Sequence, residues 1–391
     1  MLRRAALALP LALGAALAVE NLRAQVLRLW ALLQGGLGFT DPYCHTAYCD
    51  HAMFWLAGKA AAGGQAPLLY DYPRYAAFAS ALLPYKSGWE MFVYPPTILP
   101  FATALSALPL ALGYYVVAGL MLAASVVLLR KAAVPGWCVA AGLLSPAALW
   151  NLYLGQIGLL CGALLIYGLS RLERAPGRSG ALLGLLAVKP QYALLLPFAV
   201  LGARAWRAVA TAGAVVLALA ALAGPSAWGA YLTLGRAAAR GLLELPFTLG
   251  SYQDMGTSLF WTLRSLGAGL PAAYAVQGAA ALAAAAGTAW LWRRRHPQRL
   301  FLTLLLTQLA SPYGYVDDLA AYSVLLPTLA RRDTPWRNAA LAWLWVAPAV
   351  IRKATLDTGV LFTPLLLLAA LALCLTQQKQ PLLAEDVGQR A

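Results

Sequence analysis

Charge is what this sequence has least of. Of 391 residues only 11% are charged, with 14 acids and three histidines, while 61% are hydrophobic and the mean hydropathy is +0.68. One soluble core cannot bury so many apolar residues, which excludes an ordinary soluble domain and points to a polytopic membrane protein. Heptads, short-period repeats and a compositionally distinct soluble segment are also missing. The chain therefore reads as one all-α integral-membrane domain over residues 1–391, with about ten to twelve transmembrane or re-entrant helices.

What charge there is comes with one sign in excess. The net charge of +15 could suggest nucleic acid, but the bases sit in short clusters between apolar runs: Arg3 and Arg4, Arg130 and Lys131, Arg171, Arg174 and Arg178, Arg204 and Arg207, Arg293 to Arg295 with Arg299, and Arg331, Arg332 and Arg337. That is the positive-inside pattern, so the partners implied are membrane lipids and not nucleic acid.

This pattern predicts a topology. Residues 1–19 resemble a secretory signal, with Ala16-Leu17-Ala18 placed like a cleavage site, but the apolar stretch extends through Leu33 as a first anchor. Residues 34–95 then form a long first outer loop, whose aromatics Phe54, Trp55, Tyr70, Tyr72, Tyr75, Phe78, Trp89 and Phe92 predict amphipathic helices along the membrane surface. Pro96, Pro100 and Pro109 predict an interfacial helix before a span ending at Arg130 and Lys131. Residues 132–150 and 152–170 form a hairpin with Asn151 and Gln156 at its outer end, where polar side chains imply a cavity. Residues 179–202 are broken at Lys189-Pro190-Gln191, a poor place for a lipid-facing lysine. A second outer loop covers 225–257, a last hairpin pairs 339–351 with 360–375 and leaves Arg352, Lys353 and Asp357 outside, and 377–391 is a cytoplasmic tail. Nine acids, namely Asp41, Asp50, Asp71, Glu90, Glu244, Asp254, Asp317, Asp318 and Asp357, fall outside on this topology. Acids do little to orient spans, so part of this set is expected to form an outward-facing polar site.

Certain of these residues come in a familiar order. Asp50 precedes Phe54-Trp55-Leu56-Ala57-Gly58, then come Gly64, Tyr70-Asp71, Phe92-Val93-Tyr94-Pro95-Pro96, Gly155-Gln156, Val188-Lys189-Pro190-Gln191 and the stretch from Ser311-Pro312-Tyr313-Gly314-Tyr315 to Asp317-Asp318-Leu319. From Asp50 to Leu325 the set resembles glycosyltransferase family 87, GT-C-fold enzymes that use polyprenyl-phosphate sugars, many of them α-mannosyltransferases. The resemblance implies a GT-C-like fold, a polyprenyl-phosphate-linked hexose donor with mannose foremost, a glycan or glycolipid acceptor, no cofactor, and a site on the outer face of the cytoplasmic membrane. It also implies that Asp50 takes the acceptor proton. Such families often show a histidine in the last motif, where this chain has Tyr313 and Tyr315, while Asp318 keeps the place of the motif's acid.

The chemistry asks for the same residue types. Displacing phosphate from an anomeric carbon needs a carboxylate beside the nucleophilic hydroxyl and cationic or hydrogen-bonding groups beside the leaving phosphate. Asp50 and Asp318 are the catalytic candidates; Tyr94, Gln156, Lys189, Gln191, Arg264, Tyr313, Asp317 and Arg352 are the substrate-binding ones. Blander roles stand beside these: a helix cap for Asp50, Asp317 or Asp318 and an interfacial snorkel for Lys189. Cys44-His45 with Cys49-Asp50-His51 matches no standard zinc spacing, and a Cys44–Cys49 disulfide or free thiols remain open, so no metal is expected. Cys138, Cys161 and Cys374 read as packing residues. A multi-span lipid or small-molecule transporter or flippase is the alternative from another class. The long acid-bearing first loop and the absence of a repeat between halves weigh against it.

Overall fold

The computed structural model describes residues 2–33, 48–83, 92–331 and 334–375, and these are mostly helical, without a strand. Among the described residues five helices are long and apolar enough to cross a membrane: Ala6–Ala31, Leu110–Lys131, Trp206–Ala223, Leu270–Arg293 and Pro335–Thr358. The pair Gly136–Leu143 and Pro146–Leu154, bent by 55° at the Leu144-Ser145 break, forms a sixth span or a re-entrant loop. Shorter apolar helices such as Gly158–Ser170, Arg299–Ala310 and Thr363–Leu375 account for much of the expected larger number. The chain is a polytopic all-α membrane protein.

Leu110–Lys131 fixes the two faces. Near its first residue, His51 Nε2 meets the Leu110 carbonyl at 3.2 Å; at its last, Arg171 donates to the Lys131 carbonyl at 2.8 Å. Glu173 binds Arg299 at 2.9 Å and Arg295 at 3.5 Å on that second face. Twenty-two residues of helix separate the two, roughly 33 Å.

Two expectations are corrected. The first-loop helix Cys49–Ala62 does not lie on the surface: Ala52, Leu56, Ala57 and Ala60 are wholly buried. A Cβ on Gly58 would stand 1.9 Å from the Ala102 carbonyl oxygen, so only glycine permits this approach to helix Leu99–Ser106. Tyr72–Leu82 is the more exposed helix of that loop, and Asp71 caps it by accepting from Arg74 N at 3.4 Å. The segment 225–257, expected as a second outer loop, carries Pro225–Ala230, a wide turn over Tyr231–Gly235 and Arg236–Glu244, with Tyr231 seated against Tyr70. The last long helix does not stop at Ile351; it runs on to Thr358, because Lys353 and Asp357 pair within it at 2.9 Å and Gly359, at φ 77°, ends it.

The tail 377–391, Asp41, Cys44, His45, Trp89, Glu90 and Arg332 lie outside the described residues. Cys49 is disulfide-bonded, and Cys138, Cys161 and Cys374 are buried free thiols.

Candidate active site

Asp50 enters its helix through two left-handed residues, Tyr48 at φ 61° and Cys49 at φ 46°, a conformation that costs energy outside glycine and turns the carboxylate inward. His51, next to it, is fully buried against Leu110 and Tyr114; burial pulls its imidazole down to about 4, which keeps it neutral. The opposing element is the end of Pro146–Leu154. Gly155 adopts φ 72° there, and a Cβ would stand 2.5 Å from His51 Cβ. This glycine stop reverses the chain, with Gln156 N donating to the Asn151 carbonyl at 2.9 Å, and brings the Gln156 side chain onto Asp50.

Lys189 is presented by the proline break. Pro190 lacks an N–H and disfavours a helical residue before it, so Lys189 sits at φ −139°, ψ 76° between the tight turns Leu185–Val188 and Pro190–Ala193. Its side chain turns inward and is 2% exposed. Nζ donates to Asp318 Oδ1 at 2.5 Å and to Gln156 Oε1 at 3.1 Å, and lies 3.5 Å from Asp317 Oδ2. The ammonium thus makes two hydrogen bonds and a third, longer ion pair.

Gln156 joins the two halves. Its Nε2 donates to Asp50 Oδ2 at 2.8 Å, while Oε1 accepts from Tyr94 hydroxyl at 3.0 Å as well as from Lys189. Phe54 packs edge-on against Tyr94, with ring centroids 5.0 Å apart. Asp318 is held by more than its lysine: Tyr192 hydroxyl donates to Oδ1 at 3.1 Å, and Tyr315 N donates to Oδ2 at 3.3 Å.

The centre thus packs one cation among three carboxyls. Burial pushes the Asp317 carboxyl up to about 7, helped by Asp318 and resisted by Lys189. Burial also raises Asp50 above the usual carboxylate range, against the opposing pull of Gln156 and Lys189. Exposure separates the carboxyls: Asp50 is half-buried, and Oδ1 accepts no hydrogen bond among the described residues, whereas Asp317 and Asp318 are 4% and 0% exposed.

The structure brings together Asp50, Tyr94, Gln156, Lys189, Asp317 and Asp318. It places the other candidates elsewhere. Arg264 caps its own helix through the Ala268 carbonyl at 2.9 Å. Arg352 pairs with the buried Asp254 at 3.1 Å. Tyr313 is exposed, and Gln191 is half-buried without a side-chain hydrogen bond among the described residues. Three further residues support the centre. Tyr192 adjoins the proline break, and Gln308 donates to the Asp318 carbonyl at 3.2 Å. Asn151, oriented to satisfy both amide atoms, donates to the Gln156 carbonyl at 2.9 Å and accepts from Gly158 N at 3.0 Å. Of these only Asn151 stood out in the sequence, as a polar residue at a hairpin tip.

A family model for glycosyltransferase family 87 matches residues 92–312, more than half of the chain. The chain belongs to glycosyltransferase family 87. No curated protein and no solved structure matches it. Within the family-87 match lie Tyr94, Gln156 and Lys189; Asp50, Asp317 and Asp318 lie outside it. Those three acids join the family-87 segment through the hydrogen bonds and ion pairs of Gln156 and Lys189.

Proposed function

We propose that this glycosyltransferase moves a hexose, mannose foremost, from a polyprenyl-phosphate donor to a glycan or glycolipid acceptor on the outer face of the cytoplasmic membrane. In the step we assign, Asp50 Oδ1 takes the proton of the acceptor hydroxyl as that oxygen bonds to the anomeric carbon. The bond from this carbon to the phosphate oxygen breaks on the opposite side, its electron pair leaves on polyprenyl phosphate, and the configuration inverts. Tyr94 and Lys189 supply a hydrogen-bonding and a cationic group at the centre beside Asp50, and Lys189, hydrogen-bonded to Gln156 and Asp318 and ion-paired with Asp317, acts through its field.

The observation that carries this reading is that Asp50 is partly exposed and keeps Oδ1 without a hydrogen bond among the described residues, beside two carboxyls that are shut away. The outer location is supported by the arginine-rich face at the far end of Leu110–Lys131 from Asp50. Purified protein given a polyprenyl-phosphate mannose and an acceptor extract should release polyprenyl phosphate. Donor carried uncleaved across a vesicle membrane would replace this reading with the flippase one.

A further inference from the structure

An amide has two ends that differ only in which one donates, and at Gln156 the neighbours decide the matter. Lys189 Nζ and the Tyr94 hydroxyl both bring protons to one end, at 3.1 and 3.0 Å, so that end is the carbonyl oxygen. Nε2 must then face Asp50, and it does so at 2.8 Å from Oδ2. Gln156 is 8% exposed, so water does not readily replace these bonds.

We infer that Gln156 is a positioning residue: oriented by Lys189 and Tyr94, its amide grips Asp50 Oδ2 and leaves Oδ1 as the oxygen turned to the acceptor hydroxyl. This inference rests on the reading of Asp50 as general base and gives Gln156 a role other than contact with the leaving phosphate. The amide does two things at once. It fixes the carboxylate about its terminal torsion, which is otherwise broad, and it donates to the ionised form, against the burial that disfavours that form. The charge of Lys189 reaches Asp50 through a polarised amide and not through direct contact.

The groups bearing on Asp50 are few. Lys189, Asp317 and Tyr94 face it from across the centre, and His51 adjoins it on its own helix. The elements packed on Cys49–Ala62, namely Leu99–Ser106, Ala66–Tyr70, Leu110–Lys131 and Pro146–Leu154, bring the phenols of Tyr70 and Tyr114 toward that helix. None of these hydrogen-bonds the carboxylate; among the described residues Gln156 alone does.

The test is the pH dependence of turnover with a polyprenyl-phosphate mannose donor. Replacing Gln156→Met keeps the shape and removes the donor, and the acidic limb of the rate profile should move up by about one to two pH units, with activity partly recovered above it. Tyr94→Phe, which keeps the ring and frees one of the two protons holding the amide, should move the limb the same way by less. It serves alone if Gln156→Met does not fold. A limb that stays in place in the folded variant, whatever the loss in rate, would overturn the inference. Asp50→Asn on the same assay separates the two claims: an inactive Asp50→Asn with an unmoved limb in Gln156→Met defeats only the role of Gln156, whereas an active Asp50→Asn defeats the base.

Discussion

Lys189 and Asp318, 129 residues apart in the chain, meet at 2.5 Å with both side chains buried. Everything else in the polar centre is arranged around that pair: Asp317 behind it, Tyr192 on the same carboxylate oxygen, and Gln156 passing its influence to Asp50.

Removing the cation should therefore unbalance the fold as well as the chemistry. From the sequence, Lys189→Met is expected to weaken donor binding in a folded protein. With Asp317 and Asp318 buried beside it, the same substitution is expected to cost about 3–5 kcal/mol, the usual consequence of leaving a buried charge unpaired. Thermal unfolding in detergent should show the loss, and Lys189→Met combined with Asp318→Asn should be more stable than Lys189→Met alone. A single variant as stable as the parent would show that the pair is not structural.

Stability should also depend on pH with a definite sign. The Asp317 carboxyl titrates near 7 in the fold and near its ordinary value of 3.8 when unfolded, so between these limits the folded state holds the extra proton. Its contribution is present at acidic pH and is lost as pH rises from about 4 to about 7. His51, lowered to about 4, works in the opposite sense over much of that window. The clean measurement is the difference between parent and Asp317→Asn, which should become steadily more favourable to the variant as pH rises toward 7. A difference independent of pH would contradict the shift.

Gly155 is the hinge on which Gln156 turns. Gly155→Ala must hold φ 72° with a Cβ placed 2.5 Å from His51 Cβ, so the strained backbone alone should cost about 1–3 kcal/mol. Displacement of Gln156 should lower turnover further. Unchanged melting and unchanged rate would mean that the chain reverses there without the glycine.

The two faces can be labelled directly. A cysteine at position 174, beside Arg171 and Glu173, should react with impermeant reagent only from the cytoplasmic side. Labelling from the outside would invert the topology and move the site to the inner face.

Much of this was legible in the sequence, and what was not follows a pattern. The break at Lys189 could be read because Pro190 imposes it locally, and Asn151 and Gln156 could be read because polar residues at a hairpin tip need partners. The Lys189–Asp318 contact could not, since nothing local marks a pairing of 129 residues' span. Tyr192 and Gln308 were hidden inside apolar runs where a phenol or an amide looks like packing. Arg264 and Arg352 drew attention as cations, but their partners, a carbonyl four residues on and Asp254 98 residues back, already occupy them. The helix Cys49–Ala62 looked superficial because its aromatics suggested a membrane surface; its small residues Ala52, Ala57, Gly58 and Ala60 were the better guide to burial.

The central claim is the role of Asp50, and the measurement that bears on it most directly is the turnover of Asp50→Asn with donor binding followed in parallel. A positioned base contributes roughly 10² to 10⁴ in rate, so the variant should lose about that much and still bind polyprenyl-phosphate sugar. Asp71→Asn, which keeps a capping oxygen for the helix on the same loop, should lose far less. Near-normal turnover in a folded Asp50→Asn protein would take Asp50 out of the mechanism and leave Asp318 as the acid to examine.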